Sequence, residues 1–234
     1  MNSPAVEILD GGILVRPSEW RRRTEGRYAV CIFGASRGGT SAAAYALARA
    51  GFPMGDDMRA NCEDPAFLEL ITEDRIDRAG LERLVRQRWS EYPRRWGFKV
   101  PAASFHLRSL SEAIENIVFV GIIRSPLASA RTIFRREPAF SKGNPVANLQ
   151  AALRHSMRYY EAAIADFARL SAPVLLLDHE TARFQSEQFV STLFGALNFE
   201  TVKAQTVATE LAEGRYRNPY HGGAVPDLPL TPSA

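Results

Sequence analysis

Lysine is nearly missing from this chain: three residues in 234 (Lys99, Lys142 and Lys203) against 26 arginines. With 26 acidic residues the formal net charge is only +3, which excludes the large positive excess of a histone-like or nucleic-acid-coating protein. Cysteine is scarce too. Cys31 and Cys62 make no disulfide framework, and Cys31 lies inside an apolar run, so a reduced, cytoplasmic setting is expected. The histidines, His106, His155, His179 and His221, are scattered without metal-ligand spacing, so no metal site is expected. No run approaches the ~18 apolar residues of a membrane span. The first 17 residues carry Glu7 and Asp10 and lack the apolar centre of a signal peptide. What is abundant is apolar: 46% hydrophobic and 10% aromatic residues exclude wholesale disorder, and the length suits one domain with a substantial core. The arginine excess is of the kind a GC-rich coding sequence produces, so only arginines in special places carry functional meaning. Arginine offers two parallel N–H donors to phosphate or sulfate oxygens.

Val6-Glu7-Ile8-Leu9 and Ile13-Leu14-Val15 flank Asp10-Gly11-Gly12 and read as a hairpin. Residues 18–27 read as a polar, Arg-rich bridge. Tyr28-Ala29-Val30-Cys31-Ile32-Phe33 is a continuous apolar run, the pattern of a strand buried on both faces. A glycine-rich interruption follows, then an Ala-rich helix over 41–50 that stops at Gly51. Asp64 and Asp77 are expected to cap helices near 65–75 and 78–91. Residues 117–123 and 174–177 are further strand-like runs, separated by a helix starting near Pro126 and a long one over about 145–170. A final helix near 183–197 precedes a weakly patterned end, and 226–234 is Pro-rich and expected to be extended or disordered. Strands alternating with helices predict an α/β fold with a central, mainly parallel sheet flanked by helices. The expected organisation is a hairpin and bridge over 1–27, an α/β domain over 28–212 and a tail over 213–234.

The informative segment is Phe33-Gly34-Ala35-Ser36-Arg37-Gly38-Gly39-Thr40-Ser41, between a buried strand and a helix. That is a context in which backbone N–H groups can converge on an anion, reinforced by the helix N-terminus. A nucleotide-triphosphate loop reads GxxxxGK[ST]. Gly34 and Gly39 keep that spacing, but Thr40 stands where the lysine belongs and the cation has moved to Arg37. Ser36-Arg37-Gly38-Gly39-Thr40-Ser41 resembles the [KR]-S-G-T-[ST] loop of sulfotransferases that use 3′-phosphoadenylyl sulfate (PAPS), a family with a three-layer, P-loop-like fold. The resemblance implies that this loop binds the 5′-phosphosulfate; Gly38 replaces the family's usual Ser and removes one hydroxyl donor. Ile122-Ile123-Arg124-Ser125-Pro126, with Thr132 eight residues after Arg124, is similar to the family's R-x-P segment, which binds the 3′-phosphate. The physics agrees, because Ser125 and Pro126 suit a helix start and a helix N-terminus attracts a dianion. Trp96-Gly97-Phe98-Lys99-Val100-Pro101 places one of the rare lysines where family members contact the bridging or sulfuryl oxygens.

The resemblance implies sulfuryl transfer from PAPS, as co-substrate and without a metal, to a hydroxyl of a carbohydrate, small alcohol or phenol. By analogy with phosphoryl transfer, catalysis would rest on positioning and on cations at the oxygens, here Arg37 and Lys99 with the Thr40 and Ser41 hydroxyls. Many members carry a His base two residues after the Lys; here Pro101 stands there. Glu63 in Asn61-Cys62-Glu63-Asp64 is the candidate carboxylate base, with His106, on an expected helix, as the alternative. The family's late R-x-G-x-x-G segment is matched only loosely by Gly214-Arg215-Tyr216-Arg217 and Gly222-Gly223. Trp89, Tyr92, Trp96, Phe98 and Phe105 are candidates for the acceptor pocket or for core. Two other readings stay open: a P-loop phosphotransferase of nucleotide-kinase type, and a catalytically inactive protein of this fold that binds adenosine 3′,5′-bisphosphate (PAP) or another anion. No nucleic-acid partner and no membrane span are expected.

Overall fold

The central strand, β3 (Tyr28–Gly34), is buried over its whole length. Its side chains alternate between two cores: Tyr28, Val30 and Ile32 face one side, and Ala29, Cys31 and Phe33 the other. A strand with no solvent face must be covered on both faces by helices, which is the origin of the three layers here. In this computed structural model, residues 5–55, 61–136, 143–167 and 169–217 are described.

The elements run β1 (Val6–Leu9), β2 (Gly12–Val15), α1 (Pro17–Thr24), β3, α2 (Thr40–Ala50), α3 (Pro65–Leu70), α4 (Arg78–Glu91), β4 (Arg95–Lys99), a 3₁₀ helix (Pro101–Phe105), α5 (Leu107–Ala113), β5 (Ile117–Ile123), α6 (Pro126–Arg136), α7 (Pro145–Phe167), β6 (Val174–Asp178), α8 (His179–Phe184), α9 (Ser186–Ala196), α10 (Ala204–Ala212) and a short 3₁₀ turn (Arg215–Arg217). The six strands are ordered β1-β2-β6-β5-β3-β4. The β3–β4, β3–β5 and β5–β6 pairs are parallel, and the β1–β2 hairpin adds antiparallel to β6. The α/β architecture with a mainly parallel sheet is therefore as the sequence pattern predicts. One core packs α2, α9 and α10 on the sheet, and the other packs α4, α5 and the end of α7.

Several elements differ from expectation. The supposed bridge over 18–27 is helical as far as Thr24: Pro17 sits in the first turn of α1, Glu19 bonds Arg22 and Arg23, and Trp20 is buried. The helix expected over 65–75 ends at Leu70, where extended Ile71 bridges Ile76. The single helix near 183–197 is two, α8 and α9, parted at Gln185. His106 is not inside a helix; it stands between the 3₁₀ helix and α5, with Nε2 2.7 Å from the Thr72 carbonyl oxygen. Trp96 and Phe98 are fully buried and stack with Phe67, so they are core rather than pocket. Gly222, Gly223, His221, Lys142 and the 226–234 segment lie outside the described residues.

The register sets out the site. Gly34 pairs with Ile122, Ile32 with Lys99, and Ile123 with Asp178. The carboxyl ends of four adjacent parallel strands thus lie on one edge of the sheet. The chain leaves β3 toward β4 on one side and returns to β5 on the other, which makes the β3/β5 boundary the switch point where ligands bind in such sheets.

Candidate anion-binding site

The loop after β3 is held in conformations that ordinary residues avoid. Gly34 has φ +150° and Gly39 φ +93°, and a Cβ on Gly34 would lie 2.7 Å from the Ile122 carbonyl oxygen. Arg37 itself adopts the left-handed region at φ +58°, an unusual state for a long side chain. Between them the Gly38 N–H donates to the Ala35 carbonyl at 2.8 Å, closing a tight turn. A Cβ on Gly38 would lie 2.6 Å from that carbonyl oxygen, so this turn has no room for the serine of the related loop. Helix α2 starts immediately after it, with no side-chain cap and no acidic residue in its first turn. The first N–H groups of such a helix point outward without intrahelical partners.

Arg124 follows β5 at the next strand end. Its Nη1 donates to the Arg37 carbonyl at 2.9 Å and reaches the Thr132 hydroxyl at 3.4 Å. That hydroxyl donates to the Ala128 carbonyl within α6, so Thr132 shares the face that looks back at Arg124. The Tyr160 hydroxyl clamps the Arg124 backbone from α7, accepting from its N–H at 3.1 Å and donating to its carbonyl at 2.8 Å. Arg124 Nε is buried without a hydrogen-bond partner, the Glu180 carboxylate standing 4.0 Å away. Burial pushes the Arg124 guanidinium below the ordinary arginine range; Glu180 works against that and Arg183 adds to it.

These two loops border a cleft of about 270 Å³. Of the residues singled out from the sequence, Arg37, Gly39, Ser41, Arg124 and Thr132 line it. Ser36, Gly38 and Thr40 belong to the loop but do not line the cleft, and Thr40 is buried beneath it. Sequence reasoning missed Arg136, His179, Arg183 and Tyr216, which complete the wall with Asn61. Tyr216 lies in the Gly214-Arg215-Tyr216-Arg217 stretch; the others carry no motif, and their one signal is position after an apolar run or at a helix end. No carboxylate lines the cleft among the described residues. A larger groove of about 620 Å³ between α9 and α10 contains Glu187 and Glu200 and, among the described residues, no basic one, so size alone does not mark the candidate site.

Lys99 and Glu63 lie behind the cleft rather than on its wall. The Lys99 ammonium, almost fully buried, donates to Glu63 Oε1 at 2.7 Å and to the Asn61 carbonyl at 3.0 Å. The same carbonyl accepts from the Ser41 hydroxyl at 2.9 Å, which ties the pair to the glycine loop. Asn61 Nδ2 donates to Glu63 Oε2 at 2.5 Å. Burial lowers the Lys99 ammonium from the ordinary lysine range; Glu63 opposes this, and Arg37 adds to the lowering. Asp64 is committed elsewhere, capping α3 and accepting from buried Arg88 at 2.8 Å. His106 is tied to Thr72, away from this cluster.

The donor set fits a phosphate- or sulfate-type anion. It offers guanidiniums, hydroxyls and a glycine loop, with a buried Nε in want of an acceptor. The class so defined is an α/β protein with a basic cleft at the strand ends of a P-loop-like, mainly parallel sheet. Among solved structures the fold is shared with sulfotransferase STF1 of Mycobacterium tuberculosis, at TM-score 0.53 and 15% identity over 82% of this chain and 74% of that one. It is shared also with the sulfotransferase domain of the curacin biosynthetic pathway, at TM-score 0.51 and 14% identity over 76% of each chain. At these identities the likeness is one of fold. No family model matches the chain, and no curated protein matches it in sequence.

Proposed function

We propose that the protein is a PAPS-dependent sulfotransferase acting on a hydroxyl of a small molecule or glycan. The observation that carries this reading is the convergence of Arg37 and Arg124, from successive strand-to-helix junctions, on one cleft that no described carboxylate lines. The sulfotransferases that share the fold support it. In this reading Arg37, Ser41 and the amides of the glycine loop hold the 5′-phosphosulfate, with Ser36, Gly38, Gly39 and Thr40 shaping the loop. Arg124 and Thr132 take the 3′-phosphate. PAPS supplies an activated sulfuryl group on a phosphate leaving group.

The Lys99 ammonium, through its tie to Asn61 and Ser41, neutralises charge that grows on the leaving oxygen. Glu63 accepts the acceptor hydroxyl's proton at a lone pair left over by Lys99 and Asn61, since a carboxylate offers about four. Lys99 also holds that carboxylate beside Asn61, whose carbonyl accepts from Ser41 of the loop.

Thermal melting with adenosine 3′,5′-bisphosphate, compared with ATP–Mg²⁺, tests the reading. At a hundred times its Kd, a ligand confined to the folded state stabilises by ~2.7 kcal/mol, a shift of roughly 5–10 °C for a chain of this size. That shift with the bisphosphate supports the proposal. A shift with ATP–Mg²⁺ alone would instead favour a nucleotide-kinase-type phosphotransferase.

A further inference from the structure

Two strand-to-helix junctions supply the arginines that the sequence motifs single out, but a third junction opens onto the same cleft. β6 ends beside β5, with Asp178 paired to Ile123, the residue before Arg124. Asp178 caps α8 by accepting from the Glu180 N–H at 3.1 Å. This start directs His179 and Arg183, four residues apart and so on one helix face, to the cleft wall. His179 is buried and lies flat against the glycine loop: a Cβ on Gly39 would come within 2.1 Å of its Nδ1. The ring of Tyr216 meets it edge-on, with centroids 6.4 Å apart. Arg183 is exposed, its guanidinium over the Phe184 ring, and near enough to Arg124 to depress that group's protonation by charge repulsion.

Four arginines and a histidine therefore face one cleft of about 270 Å³, in which no described residue is a carboxylate. Glu180 faces the side of Arg124 at 4.0 Å and offsets only part of the charge. Guanidiniums held together against their repulsion gain most from an anion between them. We infer that His179 and Arg183 form a third anion-binding element, which grips the same phosphate-type group as Arg124. This inference rests on the proposed bisphosphate reading for the identity of the ligand but not for its charge. It deepens that reading by requiring a ligand whose anionic group is held from the β5 and β6 junctions together, as in a nucleoside bisphosphate.

The test is titration calorimetry of the full chain and of the Arg183→Gln and His179→Gln variants, with adenosine 3′,5′-bisphosphate and with inorganic pyrophosphate as separate probes. Arg183 is exposed and lies over the likewise exposed Phe184 ring, so Arg183→Gln is expected to fold as the parent does; melting temperatures check both variants. Arg183→Gln should weaken binding about tenfold to a hundredfold, the loss of one charge-assisted contact, and Arg183→Lys should restore part of it. Unchanged affinity of Arg183→Gln for whichever probe the parent binds overturns the inference while leaving the bisphosphate reading intact. If the parent binds pyrophosphate but not the bisphosphate, the bisphosphate reading fails; loss of pyrophosphate binding in the variants then still supports the third element. A parent that binds neither probe overturns both.

Discussion

Gly39→Ala isolates the packing that joins the glycine loop to the β6–α8 junction. Two penalties apply at this position. Gly39 has φ +93°, a region that costs an L-residue ~1–2 kcal/mol. The new methyl would also lie 2.1 Å from His179 Nδ1, and must move about 1.3 Å to reach ordinary van der Waals contact. His179 has nowhere to retreat, being buried at the capped start of α8 against Tyr216. Overpacking of this kind adds ~1–3 kcal/mol, for a total of ~2–5 kcal/mol. The control is Gly51→Ala at the other end of α2. Gly51 has φ +94° but open space around its absent Cβ, so that variant bears the backbone penalty alone. Urea unfolding of both variants gives the difference directly, and titration with adenosine 3′,5′-bisphosphate shows whether the displaced loop still binds. Gly39→Ala should be the less stable by at least ~1 kcal/mol and should bind more weakly, while Gly51→Ala keeps its affinity. Equal stabilities with unaltered affinity for both would refute the contact between loop and junction.

Arg124→Ala is expected to weaken bisphosphate binding by ~1.5–3 kcal/mol; an unchanged Kd by calorimetry removes Arg124 from the site. Tyr160→Phe deletes the hydroxyl that holds the Arg124 backbone from both sides. It should lower the same affinity by ~1 kcal/mol with the secondary structure intact by circular dichroism; parental affinity would deny Tyr160 a positioning role. Glu63→Gln should slow sulfuryl transfer by ~10²-fold or more and leave bisphosphate binding in place, so full turnover excludes Glu63 as the base. Hydrogen bonding from Arg22, aided by Arg23 and opposed by partial burial, draws the Glu19 carboxyl down to about 2. With the folded value depressed, its contribution is present above the unfolded value near 4.5 and lost as pH falls toward 2. The stability gap between parent and Glu19→Gln, ~1 kcal/mol after solvent screening, should therefore be full above pH ~5 and close by pH ~2 in pH-dependent urea melts; a gap constant with pH contradicts the ion pair.

The elements legible in the sequence were those whose burial leaves a one-dimensional trace. β3, β5 and β6 are apolar runs because both their faces are covered, and α2 ends at Gly51 because a left-handed C-cap favours glycine. Helix α1 escaped notice because its arginines mask the stripe formed by Pro17, Trp20 and Thr24, which alone are buried. The split between α8 and α9 lies at Gln185, a residue that gives no local sign of a break. The glycine turn after β3 and the helix start after β5 could be read because glycine and proline requirements are local. The Lys99–Glu63 bond joins residues 36 positions apart, and the placing of His179 against Gly39 depends on the order of strands in the sheet. Contacts of that kind are set by topology and leave no spacing to detect.

In the proposed reading the β3 and β5 junctions hold the two ends of one nucleoside bisphosphate. A crystal structure of the protein with adenosine 3′,5′-bisphosphate tests it most directly. The 5′-phosphate is expected on the loop of Arg37, Gly39 and Ser41, and the 3′-phosphate within hydrogen-bond distance of Arg124 and Thr132. A bisphosphate seated elsewhere, with Arg124 Nε still unpaired, would contradict it.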